Sequence, residues 1–102
     1  MDLNEVYDMI QRTGYPVAYD HFDSAPPMPY ILYRVTGTRN FSADNGVFFR
    51  ADSIDVELYT KKKDPTAEKK LEMALNGLCW ESTGTTYIDT EKLYQTIYEI
   101  EV

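Results

Sequence analysis

One histidine and one cysteine, His21 and Cys79, are the side chains of this sequence best suited to act as a general base and a nucleophile. Asp20 precedes His21 and could orient its ring. In an extended segment, however, adjacent side chains point to opposite faces, so we expect a solvated or hydrogen-bonded strand histidine. Leu78 and Trp80 flank Cys79, and an apolar setting raises a thiol pKa, so we expect an inert, packed cysteine.

Carboxylates are the other candidates, because paired acids serve acid–base catalysis or bind divalent metals. Five of them occur in or beside predicted strands: Asp52, Asp55, Glu57, Glu99 and Glu101. Side chains two residues apart share one face of a strand, which pairs Asp55 with Glu57 and, further on, Glu99 with Glu101. A solvated outer face of a sheet explains both pairs. No glycine-rich phosphate motif is present, and a single histidine and cysteine exclude zinc patterns. We therefore expect no catalytic residue, no metal site, no cofactor and no enzymatic activity.

The composition is that of a small, acidic globular protein. The chain has 102 residues, of which 43% are hydrophobic and 14% aromatic, and we expect one domain spanning residues 1–102. A formal charge of -7 predicts repulsion from phosphate backbones, and so no specific nucleic-acid binding. The longest apolar run, from Tyr30 to Tyr33, is far shorter than the about 20 residues of a membrane helix. The acidic N-terminus is unlike a signal peptide, which predicts an intracellular protein without membrane contact.

Two helices are predicted from spacing and end signals. Apolar residues recur at helical intervals at Leu3, Val6, Tyr7 and Ile10, which predicts a helix near residues 2–13. Gly14 and Pro16 would end it. Asp64 and Pro65 form a typical helix start, and apolar spacing then predicts a second helix near residues 65–76.

The remaining segments favour strands, rich in β-branched and aromatic residues and often alternating in polarity. The main candidates are residues 16–22, 29–36, 47–50, 53–60, 86–89 and 94–102. Residues 37–46 are polar and carry the turn signal Asn45–Gly46, which predicts a loop. The sequence thus predicts an α+β fold: a mostly antiparallel sheet with two helices packed on it, in the order α-β-β-β-β-α-β-β. Each helix has one apolar stripe and should cover a single face of the sheet.

Protein–protein contact is the chemistry that the sequence favours most. Nine tyrosines exceed what a core of this size can hide, and tyrosine is favoured in interfaces. Phe41 lies in the polar 37–46 segment between Arg39 and Asp44, an apolar anchor with a polar rim; the rival interpretation packs it on the sheet edge. Three consecutive lysines, Lys61, Lys62 and Lys63, follow the predicted strand over residues 53–60, and such a cluster is typical of a solvated strand end. The candidate partner interface is Arg39, Phe41, Asp44, Lys61, Lys62 and Lys63.

Three segments carry a resemblance to a known group of proteins. The stretch from Phe41 to Asn45 (FSADN) and the stretch from Ile54 to Asp64 (IDVELYTKKKD) resemble small tailed-phage and prophage proteins encoded in virion morphogenesis regions. The segment from Glu91 to Ile100 (EKLYQTIYEI) resembles their C-terminal strand, so the resemblance covers the chain from about Tyr15 onward. In size and element order the group is similar to bacteriophage tail-terminator and tail-completion, or head–tail joining, proteins.

That resemblance implies a structural virion protein of the tail or neck, present in the host bacterial cytoplasm during assembly. It implies a ring-shaped homo-oligomer, commonly hexameric, whose partners are the tail-tube protein and head-completion or connector proteins. Two other classes stay open. An acidic protein-binding module or inhibitor that mimics nucleic-acid charge would be a stable monomer with carboxylates gathered on one face. An enzyme with a cryptic carboxylate pair would need a concave pocket holding convergent acids.

Overall fold

Two helices and five strands form the fold in a computed structural model, which describes residues 1–42, 46 and 48–102 and, at Phe48, the backbone alone. In chain order these elements are α1 (Leu3–Gln11), β1 (Val17–Tyr19), β2 (Tyr30–Ser42), β3 (Phe48–Thr60), α2 (Pro65–Ala74), β4 (Trp80–Ile88) and β5 (Leu93–Glu101). The predicted α+β class, with its two helices and its mostly antiparallel sheet, is confirmed.

Both helices begin where the sequence signals place them. The Asp2 side chain accepts a hydrogen bond from the Glu5 backbone amide, and Glu5 reaches back to the Asp2 amide, which completes a capping box on α1. Asp64 accepts a hydrogen bond from the Ala67 amide, and Pro65 occupies the first turn of α2. Among the residues described, no helix has the length and apolar character needed to cross a membrane.

The sheet has the order β1-β2-β3-β5-β4. β1 runs parallel to β2, and every other pair of neighbours is antiparallel. β5 therefore lies between β3 and β4, although it follows both of them in sequence. In the described part of the chain β4 forms one edge of the sheet, and the three-residue β1 covers only a short part of the other edge.

Both helices pack on the same face of the sheet. Buried side chains of the helices meet alternate residues of the central strands in one core: Val6, Ile10, Ile31, Tyr33, Ile54, Val56, Leu58, Ala67, Leu71, Leu75, Tyr98 and Ile100. On the opposite face, Phe22 and Met28 pack over Tyr30, Tyr59 and Leu93 at one end of the sheet. The rest of that opposite face is called the open face below.

One long strand replaces two predicted short ones. Residues 48–60 form the continuous β3, so three strands precede α2 rather than four. The predicted loop over residues 37–46 is also wrong at its start, because β2 continues to Ser42 and pairs in register with β3, Phe41 opposite Phe49. β5 ends beside Asp52 and Ser53, and β1 ends beside Tyr33, so the described residues beyond these points pair only with each other. We call this two-stranded part, Gly37–Ser42 and Phe48–Ala51, the ribbon. The ribbon is formed by backbone pairing, and its described side chains form no buried face. Its sequence therefore lacks the alternation of apolar and polar residues that predicts a strand.

Candidate interaction surfaces

His21 and Cys79 lie far apart. His21 borders a cavity with Tyr59 and Glu91, whereas Cys79 borders a depression with Ser53 and Glu101. Tyr59 and Ser53 are six residues apart on β3, which is about 20 Å at the rise of a strand. The two side chains therefore form no nucleophile–base pair.

The surroundings of His21 and Cys79 differ from those predicted. Asp20 directly follows β1 and has a left-handed backbone conformation, at φ 65°, and this turn brings its carboxylate to 3.1 Å from Nδ1 of His21. The two side chains thus contact each other instead of pointing apart, although both are exposed, as expected of a solvated histidine. Cys79 is exposed, so the prediction of a packed cysteine is wrong. It lies on the connection between α2 and β4, before the strand begins, where its apolar neighbours do not enclose it.

Three carboxylates line up across the open face. The register places Asp55 of β3 opposite Glu99 of β5, and Glu99 opposite Glu81 of β4. We call these three residues the acidic row. Asp55 is at one end of the acidic row, and Arg34 of β2 lies opposite it. Glu101 and the acidic row border a surface depression of about 460 Å³ together with Thr36, Ser53 and Cys79.

The other two carboxylates singled out in the sequence have different environments. Glu57 shares the open face but is only 6% exposed, so the prediction of a solvated side chain is wrong there. It accepts a hydrogen bond of 2.9 Å from the Tyr59 hydroxyl, and Nε of Arg34 lies 3.5 Å away. Asp52 lies on the helix side of the sheet. Its hydrogen bond from Thr38, reinforced by Arg50, holds the Asp52 carboxyl pKa below its usual range.

The ribbon presents an aromatic pair on the open face. Phe41 and Phe49 are directly opposite each other and are 45% and 61% exposed. The Arg39 guanidinium lies 5.3 Å from the centre of the Phe41 ring, a cation–π contact, and also pairs with Glu101. Phe41 thus has a charged neighbour, as predicted, and an aromatic neighbour that the sequence did not indicate. Asp44, the other predicted neighbour, lies outside the described residues.

The three predicted interface lysines lie away from the ribbon. Lys61, Lys62 and Lys63 follow the end of β3, twelve or more residues from Phe49 and therefore about 40 Å along the strand. Nζ of Lys63 donates to Glu68 and to Thr85, each at 3.0 Å, which ties it to α2 and β4. The predicted interface residues therefore belong to two separate places. The ribbon carries the exposed Phe41 and Phe49, and the end of β3 lies near the exposed Tyr87 of β4.

The tyrosines are better buried than expected. Four are buried, Tyr30, Tyr33, Tyr59 and Tyr98, and three more are half-buried. Of the nine tyrosines, Tyr19 and Tyr87 alone are exposed. The excess of surface tyrosine predicted from composition is therefore small, and the phenylalanines of the ribbon are the more prominent apolar surface.

In comparisons with known proteins, no protein-family model matches this chain, and no curated protein matches it. Within the described ranges, no group of three His, Cys, Asp or Glu side chains is arranged to hold a metal ion.

Neutralising the middle of the acidic row should stabilise the isolated protein. Like charges directly opposite each other across a strand pair are unfavourable, and Glu99 faces one on each side. We expect Glu99→Gln to raise the free energy of unfolding by about 0.5–1 kcal/mol at low salt, and by less at high salt because of screening. Urea unfolding at two salt concentrations measures this. Glu91→Gln, an exposed residue of the β4–β5 turn, is the matched control and should change little.

The buried tyrosines predict a loss of stability at high pH. Burial raises the pKa values of the Tyr98 and Tyr59 hydroxyls well above their usual value, and the bonds to Glu72 and Glu57 raise them further. The folded state therefore holds these protons more tightly than the unfolded chain, in which tyrosine titrates near pH 10. Stability should be intact below about pH 10 and fall as the pH rises above it.

Urea midpoints measured from pH 8 to 11.5 test this expectation. Tyr98→Phe has no hydroxyl to titrate at this site, so its midpoint should fall less steeply with pH than that of the unmodified protein. Ionisable groups that the two proteins share contribute equally to both profiles, so their effect cancels in the comparison. Parallel pH profiles for the two proteins would contradict the prediction.

Proposed function

We propose that this protein is a structural virion protein of a tailed phage or prophage, acting as a tail-terminator, tail-completion or head–tail connector subunit through protein–protein contacts. The observation that supports this most is the ribbon. It is a strand pair beyond the body of the sheet, and its Phe41 and Phe49 side chains are exposed side by side. Exposed aromatic residues beside an arginine are the composition of a protein–protein contact.

The shape of the chain suits a subunit that contacts several neighbours. The molecule measures 51 × 26 × 25 Å, and the thirteen residues of β2 alone span about 43 Å. A ribbon that reaches beyond the core has the length to contact another subunit or the end of a tail tube. In this proposal the partners are other copies of the chain in a ring, the tail-tube protein, and head-completion or connector proteins. The protein then resides in the neck or tail of the virion, and in the host bacterial cytoplasm during assembly.

The acidic surface is compatible with this role. A channel that DNA must pass through without adhering needs a surface that repels phosphate, and the chain carries a formal charge of -7. The acidic row and Glu101 concentrate part of that charge on the open face. In a ring, that face would line the channel or contact a basic partner surface.

Light scattering coupled to chromatography, over a wide protein concentration range, tests the proposal, with and without purified tail tubes of the phage or prophage that encodes the chain. We expect a discrete ring-sized species at high concentration, or one that forms on the tubes. An isolated monomer in solution alone counts little, since a connector subunit can assemble only on its template. Failure to bind the tubes under any condition would overturn the proposal.

A second candidate function is an acidic binding module that occupies the basic surface of another protein. The acidic row favours it, because three like charges in register weaken the sheet unless a partner neutralises them. This candidate predicts a monomer at every concentration, with or without tail tubes, and capture of a basic protein that Glu99→Lys abolishes. The same chromatography therefore separates the two functions.

A further inference from the structure

We propose that the free edge of β4 pairs with the free edge of β2 from a second copy of this chain, so that neighbouring subunits share one continuous sheet. The inference rests on the proposed function and specifies how the ring closes. The occupant of each edge is a second copy, and the contact is head to tail.

The edge presented by β4 is long and weakly protected. Within the described residues, β4 pairs with β5 alone, so its nine residues leave their other side open. Natural edge strands are usually shielded by lysine, proline or shortness. β4 has the sequence WESTGTTYI, with one charge, no lysine and no proline. A β-bulge also shields an edge, and β4 has one at the register shift between Ser82 and Gly84, beyond which its pairing is regular to Ile88.

The second free edge belongs to β2. β1 covers β2 only at Ile31 to Tyr33, and two further backbone hydrogen bonds join the flanks of β1 to the same part of β2: the Asp20 amide donates to the Tyr33 carbonyl, and the Ile31 amide donates to the Pro16 carbonyl. From Thr36 to Ser42 the outer side of β2 has no strand neighbour in the part of the chain that the structure describes. The seven-residue length matches most of β4, and the two edges lie on opposite sides of the sheet.

The strand directions allow this contact without turning either subunit over. β2 and β3 are antiparallel, as are β3 and β5, and β5 and β4. β4 therefore runs opposite to β2 in the same subunit. Trp80 shares a row of the sheet with Val35, so β4 is level with the part of β2 that precedes Thr36. A neighbouring copy in the same orientation, shifted by about seven residues along the strands, therefore presents residues 36–42 of its β2 antiparallel to β4, the commoner and more stable pairing. Such a contact leaves one edge free at each end, so it repeats, and it closes into a ring where the rotation between neighbouring subunits permits.

Charge favours a second copy as the occupant. Two of the four arginines, Arg39 and Arg50, lie in the ribbon, and Arg39 is the one on the open face. Glu81 lies on β4 and on the open face, next to Glu99 in the register. Because the proposed pairing makes the open faces continuous, the Arg39 side of one ribbon comes to lie beside the acidic row of the next subunit. The contact thereby brings a positive charge of one ribbon to the acidic row of the neighbouring subunit.

Hydrogen exchange read by mass spectrometry tests the edge pairing directly, comparing dilute protein with protein that has assembled at high concentration or on tail tubes. Amides in residues 80–88 and 36–42 should exchange at least about tenfold more slowly in the assembly, since outward N–H groups gain partners. Residues 54–60, inside the sheet of each subunit, should change little. Assembly without new protection at both edges would overturn this inference and leave the proposed function standing.

A charge reversal at the edge supplies a second test. Glu81→Lys should weaken assembly by about 5–50-fold, because it places a cation beside Arg39 of the neighbouring ribbon. Asp8→Lys, an exposed change of equal charge on α1, should leave assembly within about twofold. Equal effects of the two variants would contradict the edge contact. If no assembly forms at any concentration or on tubes, the inference and the proposed function fail together.

Discussion

Replacing Tyr98 by alanine should lower the free energy of unfolding by about 3–5 kcal/mol, the usual cost of truncating a buried aromatic side chain. Tyr98 is fully buried in the core between the sheet and the helices. Its ring meets Trp80 edge to face at 5.2 Å, and its hydroxyl donates a 2.7 Å hydrogen bond to Glu72 of α2. The truncation removes the contact between β5 and α2 together with the packing volume. Urea unfolding of the purified variant measures the effect.

Two further variants separate the ring from the hydroxyl of Tyr98. Tyr98→Phe keeps the ring and loses the bond to Glu72, so we expect a loss of only about 1–2 kcal/mol. Tyr87 of β4 lies on the same face of the sheet as Tyr98 but is 46% exposed. Tyr87→Ala should therefore lower the free energy of unfolding by about 1 kcal/mol or less. A Tyr98→Ala protein as stable as Tyr87→Ala would contradict the core described here. Should Tyr98→Ala fail to fold, the Tyr98→Phe value still tests the hydrogen bond.

Phe41→Ala should weaken assembly by about 1–3 kcal/mol, roughly a 5–150-fold change in the association constant. Phe41 is exposed in the isolated chain, so its ring gains buried area only when another molecule covers the ribbon. The melting temperature should stay within about two degrees, because the ribbon lies outside the cores that hold the sheet and the helices together. Sedimentation or light scattering measures the first quantity, and thermal unfolding of dilute protein the second.

Met73→Ala is the matched control for Phe41→Ala. Met73 is the most exposed of the large apolar side chains on the described surface, and it lies on α2, away from the ribbon. Its truncation should leave both association and melting temperature almost unchanged. If Phe41→Ala instead costs about 3–5 kcal/mol of folding stability, the residue belongs to the core and is not an interface anchor.

The helices and the core strands could be predicted because their signals are local. Asp2 and Asp64 each accept the capping bond that their position before an apolar-spaced segment indicates. In β5 the alternation of buried Thr96, Tyr98 and Ile100 with more exposed neighbours matches the pattern of the sequence. Local spacing decides these elements because each has one face against the core.

The acidic row and the ribbon could not be predicted in the same way. Strand spacing pairs acids within one strand, but the row joins Asp55, Glu81 and Glu99 from three strands. It exists because β5 lies between β3 and β4, an order that no local pattern specifies. The ribbon has no face against the core, so its residues show no alternation and favour a loop by composition. The burial of Glu57 depends on Arg34 and Tyr59, its partners on β2 and β3.

The interior position of β5 has a consequence for synthesis on the ribosome. Thr60 ends β3 and pairs with Tyr94, so β3 emerges roughly 33 residues before β5, or about 2–7 s earlier at 5–20 residues per second. During that interval one side of β3 lacks its partner strand, and β4 has no described neighbour to join. The nascent chain therefore closes its sheet only when β5 appears. Translating chains halted before Leu93 should be sensitive to protease, while chains released after Glu101 should be resistant.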